Sequence, residues 1–79
     1  MKARVTVTLK PGILDPQGKA IEGALASLGF AGVRQVRQGK LFDIDLETTD
    51  RTKAKTDLAA MCEKLLADSV IEAYRVELD

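Results

Sequence analysis

The most constraining feature is residues 9–18, Leu9-Lys10-Pro11-Gly12-Ile13-Leu14-Asp15-Pro16-Gln17-Gly18, where an alternating pattern stops and a helical one begins. Pro11 fixes its own φ and lacks an amide donor, and Gly12 tolerates positive φ, so a strand cannot run through the pair. The chain has to turn there. Asp15-Pro16 then supplies a helix start: the carboxylate can accept from unpaired first-turn amides, and proline at the first helical position loses no bond. Before the corner, residues 3–9 place Val5, Val7 and Leu9 on one face and Arg4, Thr6 and Thr8 on the other, the pattern of a half-buried strand.

After the corner, Ala20, Ile21, Ala24, Leu25 and Leu28 recur at helical spacing, which predicts a helix over 16–28 with one apolar stripe. Gly29 stands where a left-handed cap belongs, with Phe30 as the residue that follows a Schellman-type ending. Gly18 is harder to accommodate, because glycine inside a helix costs ~1 kcal/mol relative to alanine. Either another stretch of backbone comes close there or the first turn is irregular.

Residues 33–38 and 42–47 both look extended, and Gly39-Lys40 between them predicts a tight hairpin turn. Thr48-Thr49-Asp50 offers caps for a second helix over 51–67, whose stripe is Ala54, Leu58, Met61, Cys62, Leu65 and Leu66. Asp68-Ser69 ends it, and residues 70–78 alternate again, with Tyr74, Val76 and Leu78 on one face. The order strand-helix-strand-strand-helix-strand predicts an α+β fold in one domain over residues 1–79. That fold is a two-layer sandwich, a four-stranded antiparallel sheet with two helices on one face, ferredoxin-like or a close relative. Leu25 and Leu65 are expected in its core. The polar sheet face would carry Arg4, Asp43, Asp45, Arg75 and Glu77, with charges able to pair across strands.

Twelve basic and twelve acidic side chains leave no net charge, hence no electrostatic footprint for nucleic acid or an anionic membrane. No apolar run reaches the ~18 residues that span a bilayer, and no signal-peptide pattern precedes the first strand, so a cytoplasmic protein is expected. There is no histidine, asparagine or tryptophan and only one cysteine. A histidine-activated nucleophile cannot be assembled and metal sites would rest on carboxylates alone, so an independent hydrolytic site is not expected, and no catalytic, cofactor-binding or metal-binding residue is assigned. An RNA-recognition module would need exposed aromatics where this sheet offers Thr6, Thr8 and Asp43. A soft-metal chaperone would need a cysteine pair in the first loop. Cys62, between Met61 and Leu65 on the stripe, reads as a small core hydrophobe. A chain of this size buries only ~60–65% of its unfolded surface, so association with partners would stabilise it.

The block at residues 9–18, together with Leu25 to Phe30, Val36-Arg37-Gln38-Gly39-Lys40, Met61-Cys62-Glu63-Lys64-Leu65-Leu66 and Val70-Ile71-Glu72-Ala73-Tyr74, resembles the PurS subunit family of phosphoribosylformylglycinamidine synthase. The likeness covers essentially the whole chain. Asp68-Ser69 departs from it, since the family often has Asn-Pro there, and this alters only the helix exit. The resemblance implies a small non-catalytic subunit of an ATP-dependent C–N ligase in purine biosynthesis. In that assembly a PurQ-type glutaminase releases ammonia from glutamine. A PurL-type synthetase then uses ATP and Mg to convert formylglycinamide ribonucleotide to the amidine. The small subunit, a homodimer or by further pairing a tetramer, would bridge the two and assist ammonia transfer. Its docking surfaces are expected at Lys10, Pro11, Gly12, Asp15, Gln17 and Gly18 and at Arg37, Gly39 and Lys40. The alternative is a regulatory small-molecule-binding module of the ACT type, which shares the element order and a Pro-Gly turn after its first strand.

Overall fold

The structure is a computed structural model that describes residues 1–79. Its elements are β1 (Lys2–Leu9), α1 (Pro16–Ser27), β2 (Gly39–Asp45), α2 (Arg51–Met61) and β3 (Glu72–Leu78). A single π-turn, Cys62–Leu66, extends α2. The sheet has three antiparallel strands in the order β2-β1-β3, not four. The expected second strand at 33–38 joins no ladder, and two of its amides are taken by side chains: Val36 N donates to Glu22 and Gln38 N to Asp15. Gly39 and Lys40 are no hairpin turn either, for they open β2 and pair with Thr8 and Val7.

Alternation in β1 sends Ala3, Val5 and Val7 inward, where all three are buried, and the register sets Phe42 opposite Val5 on one side and Val76 on the other. The Asp50 carboxylate accepts from the amides of Thr52 and Lys53 to start α2, as its sequence implies. That helix and the turn after it set Leu58 and Cys62 in one core cluster with Ala3, Val5 and Val7 of β1, and Ala54, Leu58 and Cys62 are fully buried. Removing a side chain the size of Leu58 from water is worth ~1.5–3 kcal/mol. The helix does not reach residue 67 in α-form. A π-turn replaces its last turn, with Ala67 N donating to Cys62 O at 3.0 Å, and this leaves Leu65 83% exposed. The last strand starts at Glu72, two residues after the expected start, because 68–71 form a turn closed by Glu72 N donating to Asp68 O.

Both helices were expected on one sheet face, yet only α2 packs there: no α1 residue belongs to the buried core, and Gly18 is the sole buried residue of α1. The core expectation for Leu25 therefore fails along with that for Leu65. The helix ends as its sequence implies, with Gly29 at φ +95° and Phe30 N donating to Leu25 O. It projects from the body, giving a molecule 48 × 25 × 15 Å with a radius of gyration of 15.9 Å. A compact chain of this length would have about 12 Å.

Candidate functional site

Lys10, Pro11, Gly12 and Ile13 form a turn in which Ile13 N donates to Lys10 O at 3.1 Å and Gly12 takes φ +87°. Proline followed by a positive-φ glycine is the signature of a type II turn. The turn is fused to the loop before β3: Lys10 N donates to Ile71 O and its Nζ to Ser69 O, both at 2.8 Å. Asp15, only 6% exposed, caps α1 through Oδ1, which accepts from Gly18 N at 2.8 Å. Its Oδ2 accepts from Gln38 N at 2.7 Å. These two amide bonds, the Gly18 one foremost, hold the Asp15 carboxyl below the usual carboxylate range, with the Arg37 guanidinium helping.

Arg37 reaches the same corner from the other side. Its Nη1 donates to Ile13 O at 3.0 Å, and its Nη2 to Leu9 O at 3.2 Å and Lys10 O at 3.1 Å. A rigid planar fork suits such a triple clasp better than a lysine ammonium would. Gln38 Nε2 donates to Gln17 Oε1. A side chain at Gly18 would overlap Val36 O, and one at Gly39 would crowd Val7 O, so both glycines permit close backbone approaches. Lys40 lies 3.5 Å from Glu72, spanning β1 between them.

The nine residues singled out in the sequence as two surfaces thus form one composite corner. Asp15 and Gly18 are buried in it and Lys10 is half-buried, whereas Pro11, Gly12, Gln17, Arg37, Gly39 and Lys40 are exposed on it. Sequence reasoning missed Glu22, Ser69 and Glu72. Only Glu22 carried a signal, one helical turn after Gly18 on the side that meets residues 33–38.

On the polar sheet face Arg4 Nε meets Asp43 at 3.0 Å and Lys2 meets Asp45 at 3.5 Å, each directly across the ladder, while Arg75 pairs along its own strand with Glu77. Groups with displaced proton affinity are scattered. Burial pushes the Cys62 thiol up inside the core. A hydrogen bond to Glu63 raises Tyr74, and Asp57 raises Lys53 on the exposed side of α2. None of these groups converges with Asp15 on a cavity, and each shift has a structural cause.

The elements and the clasped corner define a small α/β protein of three strands and two helices with a solvated sheet face. The sequence profile of PurS, described as phosphoribosylformylglycinamidine (FGAM) synthase, matches residues 2–79. The chain is 47% identical over 75 residues to the PurS subunit of Synechocystis sp., covering 95% of this chain and 75% of that protein. It superposes on Bacillus subtilis PurS with a TM-score of 0.89 at 45% identity, covering 99% and 96% of the two chains. A chain in the structure of PurLQS from Thermotoga maritima matches with a TM-score of 0.88 at 30% identity, over 96% of this chain and 93% of that one. The chain belongs to the PurS family and is a subunit of phosphoribosylformylglycinamidine synthase, in purine biosynthesis.

Proposed function

We propose that this chain, as a homodimer, bridges a PurQ-type glutaminase and a PurL-type synthetase and assists the passage of ammonia from one to the other. The observation that carries the reading is the likeness, over 96% of the chain, to a chain of the Thermotoga maritima PurLQS structure. The missing histidine-activated nucleophile and the clasped corner agree with it. In this reading ATP, Mg and glutamine are handled by the two larger subunits, no cofactor belongs to this chain, and the assembly works in the cytoplasm. No helix is long and apolar enough to cross a membrane.

The corner divides the labour. Asp15, Gly18, Arg37 and Gly39 hold its shape, and Lys10, Pro11, Gly12, Gln17 and Lys40 meet the larger subunits. The test is co-elution of the three chains in the presence of glutamine and nucleotide, with Lys10→Glu combined with Gln17→Ala. The variant is expected to keep its circular dichroism and lose co-elution. A variant that still co-elutes like the parent would contradict this docking surface.

A further inference from the structure

We infer that the turn at 68–71 is an apolar anchor, with Val70 seated in a larger chain of the synthase, in an apolar socket rimmed by carboxylates. The inference rests on the bridging role proposed above and adds the chemistry of one contact to it. Val70 is 78% and Leu14 68% exposed, Ile71 is exposed as well, and none of the three belongs to the core cluster. Backbone bonds bring them to one place. Ile71 O accepts from Lys10 N and Ser69 O from Lys10 Nζ, so this turn lies against the 10–13 turn that leads into Leu14. Apolar groups exposed singly need no explanation, but gathered at one site they mark a contact surface.

The turn holds its shape without the Val70 side chain. Asp68 N donates to Glu72 Oε1 at 2.7 Å, Val70 N to Asp68 Oδ1 at 2.9 Å and Glu72 N to Asp68 O at 2.7 Å. Turns ordinarily take glycine, asparagine, aspartate, serine or proline, so an exposed valine here serves no local need. Held outward on a fixed frame, it has little freedom left to lose on binding. The charges around it are sorted by sign. The Asp15 and Glu72 carboxylates are largely covered, Arg37 and Lys40 stand exposed, and Asp68 is the exposed acid beside them. Lys10 and Arg37 bond carbonyls and enter none of the six ion pairs of the chain. An apolar tip among outward cations is matched by a partner surface of the opposite sign. A second copy meeting the same patch about a two-fold axis would set these cations against themselves, which favours a different chain as occupant.

The experiment uses the assembled synthase, the three chains mixed with glutamine and nucleotide. Val70→Asp and Val70→Leu are titrated into the two larger chains. Lys55→Asp is the control, since Lys55 lies in the half of α2 whose Arg51 reaches Asp79 at the far end of the sheet. Separately, Val70→Cys carrying a thiol-linked photo-crosslinker is irradiated in the complex, Cys62 being buried and out of reach. Val70→Asp is expected to raise the dissociation constant of assembly at least about tenfold, and Val70→Leu and Lys55→Asp to leave it within about twofold. The crosslink is expected to join a larger chain. Assembly of Val70→Asp at the parent affinity overturns the anchor and leaves the bridging role standing. A crosslink to a second copy alone overturns the anchor in the same way. A parent chain that fails to assemble overturns both readings. If Val70→Asp loses its circular dichroism, the crosslink alone decides: an adduct with a larger chain supports the anchor and its absence overturns it.

Discussion

Gly18 faces the carbonyl oxygen of Val36 so closely that no side chain fits between them. This contact explains a glycine in the first turn of α1 and fixes how the arm leaves the body. Gly18→Ala gains ~1 kcal/mol of helix propensity, yet the overlap with Val36 O is expected to outweigh it and destabilise the chain by about 1–3 kcal/mol net. Gly23, in the same helix, has open space around its α-carbon, so Gly23→Ala is expected to stabilise by ~0.5–1 kcal/mol. Urea unfolding of the pair checks both signs. A Gly18→Ala chain more stable than the parent would rule out the close approach.

The carboxylate of Asp15 links two segments, and its depressed proton affinity sets the sign of a pH effect. Its folded pKa lies below the unfolded value near 3.8, so its contribution to stability is present above that value and is lost as pH falls through the folded pKa. Asp15→Asn should lower the unfolding midpoint at neutral pH, and the gap to the parent should narrow as the solution is acidified below about 4. A gap that stays constant down to the acid-unfolding limit would show that the charge contributes nothing.

Stability should follow burial and not the apolar stripe alone. Leu58 is fully buried, so Leu58→Ala is expected to cost ~2–5 kcal/mol, enough to unfold a domain of this size. Leu65, on the π-turn and 83% exposed, should tolerate alanine within about 0.5 kcal/mol. Chemical denaturation distinguishes the two, and equal losses would place Leu65 in a packed environment.

Cys62 is enclosed by the core and its thiol is held protonated by burial. Alkylation under native conditions is therefore expected to be far slower than in urea, since the thiolate is the reacting form. Equal rates in the two conditions would mean that the end of α2 opens readily.

Much of this was readable from residue order, wherever one local interaction decides the conformation. The alternation of Val5 and Val7, the caps at Asp15 and Asp50, the left-handed Gly29 and the Arg4–Asp43 pair are cases in which neighbours along the chain or directly across a ladder suffice. That residues 10–18 and 37–40 meet in one corner was not readable, because Arg37 joins them through carbonyls that leave no mark on side-chain pattern.

Residues 33–38 misled for a physical reason. A segment whose amides bond to Glu22 and Asp15 can have the same composition as one whose amides join a sheet. Gly39 misled in a related way, since a glycine demanded by proximity to Val7 O looks like a glycine demanded by a turn. For α1, amphipathicity reveals that a stripe needs cover and is silent on whether the same chain provides it.

The central claim is that this subunit links two working proteins and performs no chemistry of its own. The most direct measurement compares turnover of the glutaminase and synthetase mixture with glutamine and with ammonium salt as nitrogen source, with and without this chain. The account predicts that leaving the chain out abolishes glutamine-dependent turnover and spares ammonium-dependent turnover. Full glutamine-dependent turnover in its absence would contradict it.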